Sequence, residues 1–309
     1  MEIEKIDRII EMAWEDRTPF EAIKNQFGFD ESEVIKLMRN NLKKSSFKLE
    51  PSSVGATVNL LLAAVLRTEE FTIENAAMEP DVVQLCNVLV KMGADISGIG
   101  TDRITVRGVE SLNGVEIAND PDRIEVGTFM IAGVLNPDSE LTLEGCNVDH
   151  LGNLPELLSK TGAKVDVNGT TIKVQAPKEL EAVSIATEVY PGFPTDMQAQ
   201  WATMMTQANG VSTVTDTVYY DRFSYVPELT RLGADMRLEK NTVTIFGKTD
   251  FEGASVMSTD LRASVSLVLA AMVAENETEV LRVYHLDRGY ENLEHKLNAV
   301  GAKIKRVDE

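Results

Sequence analysis

The chain has 309 residues, of which 43% are hydrophobic and 26% charged, and its formal net charge is −19. This length suits about two domains. So acidic a surface repels nucleic acid. The lack of any apolar run of about 18 residues excludes a membrane span. The charged start lacks the apolar core of a secretory signal, and two cysteines make no disulfide framework, so we expect a cytoplasmic protein without membrane or nucleic-acid partners.

Residues 1–48 predict a small all-α module. The segment TPFEAIKNQFGFDESEVIKLMRNNLKK has the pattern of a helix, a glycine-containing turn and a second helix, as in helix-turn-helix modules. Thr18 before Pro19, with Glu21 three residues later, predicts a capping box for the first helix, and we expect Asp30 to cap the second. The second helix also carries a basic cluster: Lys36, Arg39, Lys43 and Lys44. A solvated helix face is favoured over a DNA-binding face, because acidic residues outnumber basic ones in this module.

Four copies of one pattern follow. Each copy contains the end of an amphipathic helix, a Gly-Ala dipeptide and an alternating strand, and the first three copies add a turn and a second strand. The glycines are Gly93, Gly162, Gly233 and Gly301, separated by 69, 71 and 68 positions. This spacing indicates units of about 70 residues, and glycine suits the left-handed residue that closes a helix. An apolar helix and a strand precede each copy, so the expected unit is helix, strand, helix, strand, strand.

The first helix of each unit is apolar nearly all round, which is typical of a buried helix. We therefore expect α/β lobes with the helices inside and the sheets outside, in which three units close around a pseudo-threefold axis. After the helical module, the predicted domains are a single unit of an incomplete second lobe at 50–120 and a nearly complete three-unit lobe at 121–309. The glycine pair in SGIGTDRITV predicts a hairpin turn and not a nucleotide loop, because no helix follows it.

The segment GFPTDMQAQ places an acidic residue at the start of a helix. We expect Thr195, after Pro194, to be the N-cap. Asp196 is then expected in the first turn, where the helix dipole favours an ionised carboxylate. From this segment alone, capping is the favoured interpretation.

Seven motifs occur in order between residues 52 and 309: SVGAT, AAMEPDVVQL, DRIEVGTF, FPTDMQAQ, RFSYVPELTRLGA, TDLRASVSLVLAA and YHLDRGYENLEHKLNAVGA. Together they resemble the bacterial UDP-N-acetylglucosamine (UDP-GlcNAc) 1-carboxyvinyltransferase family, also called UDP-GlcNAc enolpyruvyl transferases. The sister family, the shikimate-pathway enolpyruvyl transferases, shares the repeat but lacks the TDMQAQ signature. The resemblance implies the inside-out α/β barrel lobes of the enolpyruvyl transferase fold. It also implies transfer of enolpyruvyl from phosphoenolpyruvate to the 3-hydroxyl of UDP-GlcNAc, the first committed step of peptidoglycan synthesis, without a cofactor. No metal is expected either, because the three histidines, His150, His285 and His295, lack the spacing of a zinc site.

The resemblance implies roles for individual residues. Asp196 matches the family aspartate that hydrogen-bonds the sugar 3-hydroxyl and acts as its general base, and this role is now favoured over capping. Ser53, Val54 and Gly55 match the segment that cradles the UDP diphosphate, where backbone amides at a helix start suit an anion. Val218 matches a position whose backbone contacts the nucleotide sugar.

Further residues are assigned to phosphoenolpyruvate and to the cleft. Arg288 matches an arginine that binds phosphoenolpyruvate, whose phosphate or carboxylate suits a guanidinium. Asp260 and Arg262 match a pair near the same anion, although a helix cap and a surface arginine are an equally supported interpretation. Three polar residues are assigned to the cleft: Glu79, Asp122 and Thr195.

The chain also departs from the family pattern. The resemblance implies a longer segment before SVGAT, with a Lys-Asn pair, a loop carrying a catalytic cysteine (or aspartate) and further arginines, whereas 52 residues precede this motif here. Pro51 stands where the family has a lysine. Neither Cys86, in an apolar helix, nor Cys146, at a strand end, is placed to replace the cysteine. We therefore expect undetectable turnover by this chain alone and, because the helix NLLLAAVL and the final strand lack partners, self-association.

Three functions stay open at this point. The first is enolpyruvyl transfer, with UDP-GlcNAc and phosphoenolpyruvate as partners. The second is a non-catalytic remnant that binds the nucleotide sugar, and the third is a helix-turn-helix regulator with the repeat lobe as its sensor. Asp196, Arg288 and the SVG segment favour the first two.

Overall fold

The computed structural model describes residues 20–30, 32–34, 45–67 and 69–307. The chain divides into two units, Met1–Asn119 and Asp120–Glu309, and the described residues of each unit bury a hydrophobic core of their own. No helix within these ranges is long and apolar enough to cross a membrane.

The front module is described in part. Helix α1 (Phe20–Phe27) is followed by Gly28, with a φ of 80°. Beyond it, the Asp30 carboxylate accepts the backbone N–H of Glu33 at 3.0 Å, and the Glu33 carboxylate accepts the N–H of Asp30 at 2.9 Å. This reciprocal pair is a capping box, so the predicted cap at Asp30 is confirmed. The other expectations for this module lie outside the described residues: Thr18, Pro19, Lys36, Arg39, Lys43 and Lys44.

A four-stranded sheet and two helices form the rest of the first unit. They are β1 (Ser46–Lys48), α2 (Val54–Ala64), β2 (Glu70–Glu74), α3 (Pro80–Lys91), β3 (Asp95–Ser97) and β4 (Arg103–Arg107). The strand order is β1-β2-β4-β3, in which β1 and β2 are parallel and the other neighbours are antiparallel. The β3–β4 hairpin has Gly98 and Gly100 in its turn, at φ of 76° and 78°, which confirms the predicted hairpin.

Strand β1 changes the predicted limit of the helical module. Residues 46–48 pair in parallel with Thr72, Ile73 and Glu74 of β2, so they belong to the sheet of the repeat unit and not to an all-α module that extends to residue 48. A strand of three residues is too short to show the period-two alternation by which strands are recognised.

The second unit repeats the order of helix, strand, helix, strand, strand. Its elements are α4 (Arg123–Leu135), β5 (Glu140–Leu143), α5 (Leu154–Lys160), β6 (Lys164–Asn168), β7 (Thr171–Gln175), β8 (Leu180–Glu181), β9 (Ile185–Ala186), α6 (Gln198–Met205), β10 (Ala208–Asn209), β11 (Val211–Thr215), α7 (Tyr225–Arg231), β12 (Met236–Glu239), β13 (Thr242–Phe246), β14 (Ser255–Met257), α8 (Leu261–Ala271), β15 (Glu279–Leu281) and α9 (Leu293–Ala299). The sheets have the orders β5-β7-β6, β12-β13-β11-β9, β10-β8 and β14-β15.

Three helices, α4, α6 and α8, lie in the core of this unit. Helix α6 packs against both of the others, and every residue from Gln198 to Met205 is buried. The strands around them bury one face only: β7 buries Ile172 and Val174, and β13 buries Val243 and Ile245. Helices inside and sheets outside are the arrangement that the apolar helices predict.

The four glycines of the repeat adopt the predicted conformation. The φ angles are 108° at Gly93, 90° at Gly162, 109° at Gly233 and 106° at Gly301. Each glycine follows the end of a helix, where a side chain would strain the backbone. The repeat period therefore reflects a conformational requirement.

The strand expected at the end of the chain is absent from the described residues. Residues 302–307 form no strand. Instead, Nδ2 of Asn298 donates to the carbonyl of Ile304 at 2.8 Å, and Oδ1 of Asn298 accepts the N–H of Ile304 at 2.8 Å. Arg306 forms ion pairs with Asp287 and Glu294. Side chains thus bind residues 304 and 306, which have no neighbouring strand among the described residues.

The left-handed conformation of Gly93 predicts the cost of adding a side chain there. A Cβ at Gly93 would meet nothing closer than Nδ2 of Asn113, at 3.7 Å, so backbone strain is the main cost of Gly93→Ala. We expect this change to lower the free energy of unfolding of the first unit by about 1 kcal/mol or more, measured by hydrogen exchange of the β4 amides. The control is Gly114→Ala, where φ is not left-handed and a Cβ meets no atom within 4 Å. Equal effects at both glycines would contradict the strain argument.

Candidate active site

Asp196 lies in a 3-10 turn, Thr195–Met197, that leads into α6. The residue at the N-cap is Pro194, and the Thr195 hydroxyl donates instead to Oδ2 of Asp216 at 2.6 Å. The prediction that Thr195 caps the helix is wrong, because Pro194 is the N-cap and Thr195 is already the first residue of the 3-10 turn. Its hydroxyl oxygen accepts Nη1 of Arg222 at 3.3 Å instead of a backbone N–H. The expected position of Asp196 in the first turn is confirmed.

Two arginines pair with the Asp196 carboxylate. Arg222 binds Oδ1 through Nη1, and Nη2 of Arg262 lies 3.1 Å from Oδ2. Burial by itself raises the pKa of Asp196, but the charges of Arg262 and Arg222 outweigh burial and hold the pKa below its ordinary value. Asp196 is thus ionised at neutral pH, and it is a weak base while both arginines hold it.

The two glutamines of the TDMQAQ segment support this pair from inside the core. Nε2 of Gln198 donates to the carbonyl of Arg222, and its Oε1 accepts the hydroxyl of Tyr225 at 2.8 Å. Nε2 of Gln200 donates to the carbonyl of Asp196 at 3.1 Å. Both glutamines are fully buried. Polar side chains at the start of a buried helix therefore fix the backbone positions of the carboxylate and of one arginine.

Asp260 and Arg262 have different roles. Oδ1 of Asp260 accepts the N–H groups of Arg262 and Ala263 at 2.8 and 3.0 Å, and Oδ2 accepts the hydroxyl of Ser224 at 2.6 Å. The cap interpretation of Asp260 is confirmed. The surface interpretation of Arg262 is wrong, because its side chain is 15% exposed and pairs with Asp196. The cap thus fixes the helix start from which Arg262 extends.

A cluster of buried polar groups adjoins these residues. The hydroxyl of Tyr290 lies 2.9 Å from Oγ1 of Thr128, and Nε2 of Gln200 lies 3.3 Å from Thr128 and 3.5 Å from Tyr290. Next to Thr128, a Cβ on Gly127 would lie 2.6 Å from Sδ of Met197. The bare backbone of Gly127 therefore lets α4 approach the turn that carries Asp196.

Three further predicted residues belong to the second unit. Asp122 caps α4 through the N–H groups of Ile124 and Glu125. Val218 is 42% exposed and its N–H donates to Oδ1 of Asp216 at 3.0 Å, so its carbonyl is the backbone group left for a ligand. Arg288 ends the 3-10 segment Val283–Arg288 and is exposed, and within the described part of the chain it forms no ion pair with Asp196 or any other acid.

Three predicted residues of the first unit lie at the start of α2. Oγ of Ser53 accepts the N–H of Ala56 at 3.2 Å and so caps the helix. Val54 and Gly55 occupy its first turn, where backbone amides point out of the helix. Glu79 precedes α3 and makes no capping bond with its side chain.

Both cysteines are buried free thiols, as expected. Cys86 is fully buried in α3, and burial raises the pKa of its thiol to about 11. Cys146 is 3% exposed, and burial raises its pKa as well. Neither thiol is poised to react.

Sequence reasoning missed five residues that the structure brings together around Asp196: Gln198, Gln200, Asp216, Arg222 and Tyr290. Arg222 begins the motif RFSYVPELTRLGA and Tyr290 lies in YHLDRGYENLEHKLNAVGA, so both were within recognised segments. Nothing local distinguishes them from surface residues, because their partners lie 26 to 162 positions away.

A known family model matches most of the chain. The family model described as EPSP synthase (3-phosphoshikimate 1-carboxyvinyltransferase) matches residues 24–297. The chain belongs to this family. The match to this enolpyruvyl transferase family begins upstream of residue 52, where the seven motifs begin, so part of the predicted helical module lies within the matched region.

Relatives of this chain carry a more specific name. It is 48% identical over 271 residues to the UDP-N-acetylglucosamine 1-carboxyvinyltransferase of Chlorobaculum parvum, covering 88% of this chain and 64% of the relative. It is 46% identical over 275 residues to the enzyme of that name from Koribacter versatilis, covering 89% of this chain and 63% of the relative. The chain thus spans less than two thirds of the length of these relatives.

Solved enolpyruvyl transferases have the same fold. The crystal structure of the enolpyruvyl transferase NikO from Streptomyces tendae superposes with a TM-score of 0.77 at 29% identity, covering 84% of this chain and 64% of that one. EPSP synthase from Acinetobacter baumannii superposes with a TM-score of 0.65 at 17% identity, covering 85% and 63%, and this likeness concerns the fold alone.

The ion pairs of Asp196 predict a contribution to stability that acid removes. Because the folded-state pKa is lowered, this contribution is complete above the unfolded pKa of about 3.9 and is lost as the pH falls through the folded pKa. We expect Asp196→Asn to lower the thermal midpoint at neutral pH, and its difference from the unsubstituted protein to shrink below about pH 4.

The matched control is Asp221→Asn, which removes the same charge from an exposed position beside Arg222. Its thermal midpoint should follow that of the unsubstituted protein at each pH. A deficit for Asp196→Asn that stays constant from neutral to acid pH would show that the ion pairs contribute nothing.

Proposed function

We propose that the chain takes part in the transfer of enolpyruvyl from phosphoenolpyruvate to the 3-hydroxyl of UDP-GlcNAc. The observation that carries this proposal is the Asp196 carboxylate, held between Arg222 and Arg262 at the start of a buried helix. The substrate class follows from the relatives, at 48% and 46% identity, whose name is UDP-N-acetylglucosamine 1-carboxyvinyltransferase. Peptidoglycan synthesis in the cytoplasm is the corresponding setting.

The reaction needs a base, an anion site and a leaving group. The sugar oxygen forms a bond to the enol carbon of phosphoenolpyruvate, and the bond from that carbon to the phosphate oxygen breaks. Phosphate leaves with the proton that the sugar hydroxyl has lost, so the base is restored and the enol double bond is kept. Asp196 is the proposed acceptor of the sugar hydroxyl proton, which a general base must take within hydrogen-bond distance. Arg222 and Arg262 supply the positive charge that suits the phosphate or the carboxylate of phosphoenolpyruvate.

The same arginines would regulate the base. In the free protein both guanidinium groups bind Asp196 and lower its pKa. An anionic substrate that draws Arg222 and Arg262 toward itself removes these partners, so the pKa of Asp196 rises and the carboxylate becomes a better proton acceptor. In this proposal the base is weak until phosphoenolpyruvate is bound.

The nucleotide sugar is assigned to backbone groups. The first-turn amides of α2, at Val54 and Gly55, suit the diphosphate, and Ser53 supports this role by capping the same helix. The Val218 carbonyl is the group proposed to contact the sugar nucleotide. Arg288, exposed and two positions before Tyr290, is proposed to add a further contact to phosphoenolpyruvate.

The proposal is tested by two assays on the same protein. Isothermal calorimetry with UDP-GlcNAc measures binding, and phosphate release from phosphoenolpyruvate with UDP-GlcNAc, at high protein concentration, measures turnover. Asp196→Asn should abolish any turnover and leave the affinity for UDP-GlcNAc within about tenfold, because the amide keeps the shape and one acceptor but no longer takes a proton.

Asp221→Asn is the control and should leave both quantities unchanged. Turnover that survives Asp196→Asn would rule out Asp196 as the base. Binding of UDP-GlcNAc without phosphate release from the unsubstituted protein would favour the non-catalytic remnant, and no binding at all would reject both functions.

The undetectable turnover and the self-association that we expect from the sequence stay predictions for this chain alone. Apolar side chains are exposed on helix α2, at Leu62 (49%), and just after its end, at Leu66 (58%). We expect light scattering to detect association that increases with concentration, and Leu62→Lys to reduce it by placing a charge on the apolar face. A monodisperse monomer at every concentration would contradict this prediction.

A further inference from the structure

Asp216 is a fully buried carboxylate on the segment that joins β11 to α7. None of the described lysines and arginines forms an ion pair with it. Its Oδ1 instead accepts the hydroxyl of Thr187 at 2.6 Å and the N–H groups of Val218 and Tyr219 at 3.0 and 2.8 Å, and its Oδ2 accepts the hydroxyl of Thr195 at 2.6 Å. A buried charge without a cation is costly unless such donors satisfy it, so these four donors define its geometry.

The backbone of Asp216 is also fixed. Its N–H donates to the carbonyl of Asn241 at 2.9 Å, and its carbonyl accepts Nδ2 of Asn241 at 2.9 Å. The carboxylate therefore links parts of the chain that are far apart in sequence: the end of β9, the 3-10 turn of Asp196 and the segment that follows β11. None of these links involves a charged partner that could move away with a ligand.

The bond between Asp216 and Thr195 also decides which atom donates in the bond between Thr195 and Arg222. Because a carboxylate only accepts, the Thr195 hydroxyl must donate to Asp216, which leaves its lone pairs for Nη1 of Arg222 at 3.3 Å. The guanidinium of Arg222 also lies over the ring of Tyr219, 5.4 Å from its centre, and the N–H of Tyr219 is held by Asp216. Two routes thus lead from Asp216 to the arginine that binds Asp196.

We propose that Asp216 is a positioning residue for this site: through Thr195 and Tyr219 it holds Arg222 against Asp196, and it ties this pair to the segment that carries Val218. The geometric part concerns the protein by itself. The coupling to a ligand rests on the proposed function, which assigns the nucleotide sugar to Val218. A change at Asp216 should then reach both Asp196 and the sugar nucleotide.

The decisive change is Asp216→Asn, which keeps the shape of the side chain and one acceptor. The other oxygen becomes an NH₂ donor, so the Thr195 hydroxyl faces two donors and loses the acceptor for its own proton. Arg222 is then no longer held against Asp196. We expect the titration midpoint of the Asp196 carboxyl, measured by ¹³C NMR and assigned by its loss in Asp196→Asn, to rise by about one pH unit.

A matched pair of variants separates positioning from general destabilisation. Thr195→Val and Thr187→Val each remove one hydroxyl that binds Asp216. The Thr195 hydroxyl binds Oδ2 and the Thr187 hydroxyl binds Oδ1. Both changes should lower the thermal midpoint. Only Thr195→Val should raise the Asp196 titration midpoint, and Thr195→Ser, which keeps the hydroxyl, should restore it. Should Asp216→Asn fail to fold, Thr195→Val decides, because Thr195 is only partly buried.

Equal shifts for Thr195→Val and Thr187→Val, or no shift for Thr195→Val, would overturn the proposal. A second readout is calorimetry with UDP-GlcNAc, in which Asp216→Asn should bind about tenfold more weakly and Asp221→Asn as tightly as the unsubstituted protein. If the unsubstituted protein binds no UDP-GlcNAc, the proposed function fails while the Asp196 titration still tests Asp216. If it binds and neither readout changes in Asp216→Asn, the positioning role fails.

Discussion

A carboxylate held between two guanidinium groups is the interaction on which the site depends. Asp196 is brought to Arg222 and Arg262 from positions 26 and 66 residues away. Removing both arginines would leave the charge of this partly buried carboxylate uncompensated. The surroundings serve this arrangement: Gln198 and Gln200 hold backbone carbonyls, and Asp260 caps the helix that presents Arg262. The packed helices α4, α6 and α8 provide the rigid support on which these bonds rely.

The arrangement gives the arginines two successive roles. In the free protein they keep a partly buried carboxylate ionised, and in the proposed reaction they bind the anion that reacts with the sugar. A base that is released only when the anion binds would not take a proton from another group before that. Buried Asp216 is bound by neutral donors, so in this proposal its own bonds would stay in place when the arginines change partner.

Features encoded over short stretches could be predicted from the sequence. The repeat glycines such as Gly93, the β3–β4 hairpin and the cap at Asp30 each depend on residues within a few positions, and all three were confirmed. The bonds of Thr195 could not be predicted, because its acceptor, Asp216, lies 21 positions away. The short parallel strands β1, β8, β9 and β14 were missed as well, because two or three residues carry no periodic signal. The resemblance supplied Asp196 and Arg262 as site residues, but only the fold shows that they are partners.

The proposed reaction depends on an exchange of partners by the two arginines, and this exchange would change the charges around the Asp196 carboxyl. The titration midpoint of this carboxyl would be measured by ¹³C NMR with UDP-GlcNAc alone, and again after addition of phosphoenolpyruvate. We expect a higher midpoint when phosphoenolpyruvate is present, because the guanidinium groups turn from the carboxylate to the anion. An unchanged or lower midpoint with phosphoenolpyruvate bound would contradict it.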